Sequence, residues 1–269
     1  MLVFAKRMLL DKYKSLVAYS LAAIAFLEMY VVLFPVVHER SGQFDQVLKT
    51  FPPEIFKAMN IDPSSLSFAS LQSYLSSEYM SFLWPILAII FAVSLANYII
   101  VGEVDKGTIE TLASLPASRR RVFIERYLAG ILMLAVFCFA TLFSAIPLAI
   151  LHSTDYVLAN YFTTAVGSFL FIWAVFSLAT LFSAIFSEKG KASMASGAVL
   201  ILMYVLNIIA NLNHDLQDLR YFSAFNYFRG SDLIANNIYP EYAFVALGGF
   251  AIVATIVALG WFEKRDLSV

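Results

Sequence analysis

Six long apolar runs separate shorter charged stretches in this sequence, and they constrain its fold more than any other feature. A helix needs about 20 apolar residues to cross a bilayer. Hydrophobic residues make up 61% of the chain and charged residues 14%, whereas soluble domains average about 45–50% and about 25%. The sequence therefore predicts an all-α integral membrane protein with one domain, residues 1–269. The predicted spans cover residues 15–37, 81–101, 127–151, 161–186, 192–211 and 242–262.

The distribution of Lys and Arg indicates how these spans are oriented. Cytoplasmic loops of membrane proteins carry the excess of basic residues. With six spans, 13 of the 18 basic residues fall on the face that holds both termini, and 5 fall on the other. We therefore expect a multi-pass protein of the cell membrane with both termini in the cytoplasm. The 13 residues are Lys6, Arg7, Lys12, Lys14, Lys106, Arg119, Arg120, Arg121, Arg126, Lys189, Lys191, Lys264 and Arg265.

Three segments outside the spans also carry helical patterns. Apolar residues recur in the N-terminal segment with a spacing near 3.6, and charged residues occupy the other positions. This pattern is typical of an interfacial helix that lies on the membrane. The alternative is a basic flank of the first span. Residues 38–80 predict two short amphipathic helices around Pro52-Pro53. Residues 212–241 are rich in aromatic residues and predict either short helices that re-enter the outer leaflet or an ordinary surface loop.

Motifs for chemistry are missing from the sequence. Gly190-Lys191 is followed by Ala192 rather than Ser or Thr, so the chain has no phosphate-binding P-loop of the form GxxxxGK[ST]. Cys138 lies in an apolar run, and the three histidines are scattered singly. The net charge of −1 gives no reason to expect nucleic acid. We therefore expect no catalytic residue, no metal site and no cofactor bound by this chain.

Three polar residues within the predicted spans are candidates for a transport pathway or for helix packing. Glu28 is the one acidic side chain well inside a span. An ionisable group there costs several kcal/mol (about 2.5–3.5 on insertion scales) unless it is protonated, paired or hydrated. Asn97 and Asn207 are the other strongly polar residues, and either could pair with Glu28. Packing contacts between helices would explain all three equally well.

The charged loop at residues 101–126 contains more structure than orientation alone requires. Gly107-Thr108 is a helix-start signal in which Thr108 can act as the cap. An apolar stripe follows, Pro116 then ends the helix, and Ser118 is a candidate cap for the next one. The stripe consists of Ile109, Leu112 and Leu115. The loop therefore predicts a short amphipathic helix followed by a sharp turn.

The same loop, GEVDKGTIETLASLPASRRRVFIERYLAG, resembles the signature between the second and third spans of ATP-binding-cassette exporter permeases of the type-2 (ABC-2) family. Residues 51–75 and the tail FEKRDLSV are similar to the family's outer segment and usual ending. With six spans, the resemblance extends over essentially the whole chain. The matching residues are Glu103, Gly107, Thr108, Glu110, Leu112, Leu115, Pro116, Ser118, Arg119 and Gly130.

The resemblance implies a half-transporter. Two six-span subunits, identical or different, would form the transporter, and each would bind a separate nucleotide-binding subunit that holds ATP and Mg²⁺. The helix at about 107–116 would be the coupling helix inserted into the ATPase, and the N-terminal interfacial helix would be the family's connecting helix. The implied coupling interface comprises Glu103, Lys106, Gly107, Thr108, Glu110, Thr111, Leu112, Leu115, Pro116 and Arg119.

Two other classes of protein compete with this interpretation. A passive channel would need polar stripes in several spans, but the polar residues of these spans are few and mostly Ser or Thr. A membrane scaffold or assembly factor would need no helix for coupling to an ATPase. The sequence does not identify the substrate.

Overall fold

The computed structural model describes residues 2–39, 42, 50–52, 55, 70–109, 117–152 and 156–265. These residues form helices, turns and loops without a β-strand. They include six helices long and apolar enough to cross a membrane. We number the helices α1 (Val3–Glu39), α2 (Leu71–Ile99), α3 (Val101–Asp105), α4 (Arg119–Leu151), α5 (Leu158–Ile185), α6 (Lys189–Leu212), α7 (Gly230–Asn236) and α8 (Ala243–Lys264).

The six predicted spans are confirmed as helices, and several extend into their polar flanks. α2 contains a π-helical stretch, Ser76–Leu83, and α4 is interrupted by a turn at Ser144. α4 begins eight residues before the predicted span because Ser118 caps it: the Ser118 hydroxyl accepts a hydrogen bond from the backbone N–H of Arg121 at 3.3 Å. This cap was predicted from the sequence.

The N-terminal residues predicted as an interfacial helix continue directly into the first span. α1 runs without interruption for 37 residues, a length of about 55 Å, whereas the apolar layer of a bilayer is about 30 Å thick. Sharp kinks generally need Pro, Gly or an inserted group, and residues 2–15 contain neither Pro nor Gly. The basic N-terminal residues therefore continue the first span as an extension of the same helix.

α5 is the central helix of the bundle. In its most apolar window 67% of the residues are buried, compared with 22% in α1 and in α6. α4 approaches α5 closely at Gly130, where a Cβ atom would lie only 2.4 Å from Cζ of the buried Phe176. Glycine is therefore the residue that allows the ring of Phe176 to fit between these two helices.

A cluster of hydrogen-bonding side chains joins α4, α5 and α8 inside the bundle. The hydroxyl of Tyr127 accepts hydrogen bonds from Trp173 Nε1 at 2.9 Å and from Thr255 Oγ1 at 2.6 Å. Ser177 Oγ lies 2.7 Å away and donates its own proton to the carbonyl of Trp173, so Tyr127 donates to Ser177. Polar contacts of this kind hold membrane helices together where apolar burial provides little driving force.

The segment between α6 and α8 forms short helices packed on the bundle, as one of the two alternatives predicted. Two 3₁₀ helices, His214–Phe222 and Ala224–Tyr227, precede α7. The ring of Phe228 stacks on Phe171 of α5 with 4.5 Å between centroids, and Leu233 of α7 is fully buried. Re-entry into the outer leaflet stays a prediction. Most of the other outer segment, including the two predicted amphipathic helices, lies outside the described residues.

Candidate functional site

Hydrogen bonds gather both chain ends and both basic loops at one end of the bundle. The backbone N–H of Phe4 donates to Glu125, the guanidinium of Arg119 donates to the carbonyl of Arg265, and the N–H of Lys189 donates to Asp105. We call this region the basic end; it comprises residues 2–12, 98–109, 117–126, 184–191 and 262–265. The segments predicted to share a face therefore do lie together.

The chain turns sharply at Gly107, directly after the short helix α3. Gly107 has φ +69°; its N–H donates to the carbonyl of Val104 at 3.0 Å, and the N–H of Thr108 donates to the carbonyl of Glu103 at 2.9 Å. This bonding pattern is a Schellman motif, which ends a helix. The hydroxyl of Thr108 donates to the Glu103 carboxylate. Gly107-Thr108 was predicted as a helix start with Thr108 as cap, and the residues after Ile109 that would test this lie outside the described residues. Gly107 thus ends α3 because it tolerates a left-handed conformation.

Arg126 and Glu103 form a buried ion pair between α4 and α3. Nη2 of Arg126 lies 2.9 Å from Oε1 of Glu103, and Nη1 donates to the carbonyl of Ile99 at 2.9 Å. Only 3% of the Arg126 side chain is exposed, compared with 23% for Glu103. Burial raises the pKa of the Glu103 carboxyl, but the hydrogen bond from Thr108 and the charge of Arg126 outweigh it, so the pKa lies below its usual value.

Glu125 caps the N-terminus of α1. Its Oε2 accepts hydrogen bonds from the backbone N–H groups of Phe4 at 2.9 Å and Ala5 at 3.4 Å, and its Oε1 accepts from Nε of Arg121 at 2.8 Å. The first N–H groups of a helix have no partner within it, and a negative charge there is also favoured by the helix dipole. A carboxylate of α4 therefore fixes the position of the N-terminal helix.

Asp105, the last residue of α3, binds the N-terminus of α6 in the same way. Its Oδ1 accepts from the N–H of Lys189 at 3.3 Å, and Nζ of Lys189 lies 3.9 Å from Oδ2. α3 is thereby attached to both α4 and α6.

Two arginines, Arg119 and Arg265, bind carbonyl groups at helix C-termini. Nη1 of Arg119 donates to the carbonyl of Arg265 at 2.6 Å, at the end of α8. Arg265 in turn donates to the carbonyls of Ala184 and Phe186 at 2.8 and 3.0 Å, at the end of α5. Carbonyls at a helix C-terminus carry partial negative charge, which favours cations there. α3 and the first two turns of α4 are therefore connected to the ends of α1, α6 and α8, and through Arg265 to α5.

The predicted coupling residues divide into three groups in the structure. Glu103 and Arg119 are bound within the chain, whereas Lys106, Gly107 and Thr108 are exposed. Ile109, from the predicted apolar stripe, is buried within the chain. The remaining residues lie outside the described residues, and so does the predicted helix beyond Ile109. These residues are Glu110, Thr111, Leu112, Leu115 and Pro116.

Two cavities lie along the groove between α2 and α6. The basic-end cavity has a volume of about 850 Å³ and includes Asn97 in its lining. The far cavity has a volume of about 330 Å³ and includes Asn207. Ile89 and Gly197 line both cavities, so the two adjoin. Asn97 donates to Ser193 at 2.7 Å across the groove, while the buried amide of Asn207 makes no hydrogen bond to the part of the chain that the structure describes.

Glu28 lines neither cavity and pairs with a residue that sequence reasoning missed. Its Oε1 lies 3.0 Å from Nε2 of His152, at the end of α4. The expectation that Asn97 could pair with Glu28 is wrong, because Asn97 bonds to Ser193 instead. The two asparagines thus lie along the groove, and Glu28 joins α1 to α4 elsewhere.

Sequence reasoning also missed Asp105, Glu125 and the pairing of Arg126. These residues sit in a loop whose charges were explained by orientation, and no local spacing identifies a partner 23 or 121 residues away. The one local signal was the i,i+4 spacing of Arg121 and Glu125, which favours an ion pair on a helix.

Comparison with known protein families identifies the class of protein that this fold belongs to. The family model described as ABC-2 family transporter protein matches residues 2–267. The chain therefore belongs to the ABC-2 family. Members are typically the membrane permeases of ABC transporters; they span the membrane several times and normally pair with an ABC ATPase. A comparison with curated proteins found no match.

Proposed function

We propose that this chain is the permease subunit of an ATP-driven exporter, and that a separate nucleotide-binding subunit hydrolyses the ATP. One observation carries the proposal beyond family membership: α3 and the first two turns of α4, joined by the Glu103–Arg126 ion pair, bind the starts of α6 and α1 and the end of α8. A force applied to α3 reaches α6 through Asp105 and α4 through the Glu103–Arg126 ion pair, and α4 in turn binds α1 and α8.

The proposed contact with the ATPase is the exposed turn after α3 and the residues that follow it. Lys106, Gly107 and Thr108 are exposed, and Glu110 and Leu112 continue the motif that resembles the family's coupling helix. Pushing on this turn moves α3. Because Glu103 is held by Arg126 and Asp105 holds Lys189, α4 and α6 move with it.

The groove between α2 and α6 is the proposed path of the substrate. Its two adjoining cavities extend from the basic end toward the segment after α6. Asn207 supports this assignment, because a buried amide without a partner among the described residues is costly and is satisfied when a ligand or water occupies the cavity. Movement of α6 through Asp105 changes the width of this groove, which connects the proposed coupling site to the path.

The proposed assembly is two six-span subunits, each with its own ATPase, in the cell membrane. Both termini face the cytoplasm in this arrangement, since the basic end carries most of the Lys and Arg residues. The turn after α3 then lies on the cytoplasmic side of the membrane, where the ATPase binds.

Co-expression with a soluble P-loop ATPase of the ABC class from the same organism tests the function. We expect the two chains to co-purify and to hydrolyse ATP in a vanadate-sensitive manner after reconstitution, while the isolated permease hydrolyses none. A permease that passes substrate at the same rate with and without ATP would instead indicate a passive channel. A chain that binds no ATPase and moves no substrate would indicate a scaffold.

A further inference from the structure

Three lysines from three separate elements converge on the basic-end cavity. Lys12 comes from α1, Lys106 from the turn after α3, and Lys189 from the first turn of α6. Both Lys106 and Lys189 repel the ammonium of Lys12. Such a cluster of like charges is unfavourable unless an anion neutralises it, so its presence in a cavity indicates a ligand.

The acidic residues of the same cavity are engaged elsewhere. Glu103 is bound to Arg126 and Thr108. Oδ2 of Asp11 lies 3.7 Å from Nε of Arg7 and accepts a hydrogen bond from the hydroxyl of Tyr98. Lys12 lies over the ring of Tyr98 at 5.3 Å. Among the described residues, neither Lys12 nor Lys106 has a carboxylate within ion-pair distance, and Lys189 has only Asp105 at 3.9 Å. The cavity therefore presents a positive charge that the described part of the chain does not neutralise.

Apolar side chains line part of the same cavity. Ile89, Ile90 and Val93 of α2 line it, and Ile90 is exposed on the outside of the bundle. Ile89 continues into the far cavity, so the apolar surface extends along the groove. A charged compartment joined to a long apolar wall fits an amphipathic molecule with an anionic head and an aliphatic tail.

We propose that this cavity binds the phosphate headgroup of an anionic phospholipid from the cytoplasmic leaflet. The three ammonium groups contact the phosphate oxygens, and one acyl chain lies along the wall formed by α2. Anionic lipids gather at the cytoplasmic surface of membranes, and each basic residue near that surface contributes about 1 kcal/mol to their attraction. This cavity is also part of the proposed substrate path, but lipid binding by the three lysines does not depend on transport through the groove.

Native mass spectrometry of the purified chain in a neutral detergent tests this site. The chain is titrated with phosphatidylglycerol and, separately, with phosphatidylcholine of the same acyl length. We expect the anionic lipid to bind at least about tenfold more tightly, since a single lysine is worth about fivefold. Equal affinity for the two lipids would overturn the proposal.

A matched pair of triple variants locates the binding. Lys12→Gln/Lys106→Gln/Lys189→Gln removes the three cavity charges, whereas Lys6→Gln/Lys191→Gln/Lys264→Gln removes three exposed charges at the same end. The first variant should lose the preference for the anionic lipid and the second should keep it. Equal losses would show a diffuse surface effect and contradict the proposal. If the cavity variant does not fold, Lys12→Gln alone should lower the preference about fivefold.

Inorganic phosphate distinguishes a lipid from a free anion. If the acyl chain binds along α2, phosphate at concentrations equal to that of the lipid should not displace phosphatidylglycerol. Displacement at equal concentration would assign the lysines to a free phosphate and overturn the lipid assignment. No ATPase is present in these measurements, so their outcome is independent of the proposed transport function.

Discussion

Charged side chains at the basic end bind helix termini as well as one another. Glu125 and Asp105 bind N–H groups at the starts of α1 and α6, whereas Arg119 and Arg265 bind carbonyls at or just beyond the ends of α8 and α5. Each sign of charge thus meets the end of the helix dipole that attracts it. The loop charges therefore do more than orient the spans.

Replacing Glu125 by Ala should detach the N-terminus of α1. Two backbone N–H groups, those of Phe4 and Ala5, lose their acceptor, which costs about 1–3 kcal/mol. We expect a lower unfolding temperature in detergent and faster hydrogen exchange at residues 4–6. Glu263→Ala is the matched control, because Glu263 is an exposed carboxylate at the same end. Equal effects of the two substitutions would contradict the capping role.

Glu103→Gln should destabilise the fold more than Arg126→Met does. Glu103→Gln leaves the charge of Arg126 buried, whereas Arg126→Met leaves a carboxylate that is partly in contact with solvent. Breaking a buried pair costs about 3–5 kcal/mol, and the double variant should recover part of that loss. Unfolding free energies of the four proteins measure this coupling, and strictly additive losses would contradict it.

The acid dependence of stability provides an internal check on the same variant. Because the pKa of Glu103 in the folded protein lies below its ordinary value of 4.5, its ionisation stabilises the fold above that pH. The stabilisation is lost as the pH falls below 4.5 toward the folded-state pKa. The Glu103→Gln variant should show a shallower loss of stability in this range than the native protein does.

At the scale of helices, the contact between α4 and α5 depends on Gly130, which has no side chain to collide with Phe176. Gly130→Ala places a methyl group against the ring of Phe176 and should cost about 1–3 kcal/mol. Adding Phe176→Leu should restore part of this stability. Gly249→Ala, where the added Cβ meets open space, should be neutral or slightly stabilising, because Ala favours a helix. Unfolding temperatures in detergent measure these stabilities, and we expect Gly130→Ala to have the lowest, the Gly130→Ala/Phe176→Leu variant an intermediate one, and Gly249→Ala one at or above that of the native protein.

The sequence predicts the spans well, because apolar length and basic flanks are local properties that a bilayer enforces. It predicts the cap at Ser118 for the same local reason. Gly107 also ends α3, which the sequence did not predict, because only the bonds back to Glu103 and Val104 reveal that role. Contacts such as Glu125 with Phe4 and Glu28 with His152 join distant parts of the chain, and neither partner is marked by local spacing.

For the whole molecule, six spans require the two ends of the bundle to face opposite sides of the membrane. Single cysteines at Arg120 and Asn236, introduced on a Cys138→Ala background, place one probe at each end. An impermeant thiol reagent added to intact cells should label Asn236→Cys only, and Arg120→Cys should react after the membrane is opened. Labelling of both from outside would contradict the six-span topology.

ATP turnover by the reconstituted permease–ATPase complex tests the central claim most directly. Glu110→Lys/Leu112→Asp changes the segment after the α3 turn and keeps Arg119–Arg121, so insertion and subunit pairing should be unchanged. We predict that ATP hydrolysis no longer drives transport in this variant, because an unpaired charge at a buried interface costs several kcal/mol. Co-purification of the ATPase with full substrate-driven turnover in the variant would show that coupling does not pass through residues 101–126.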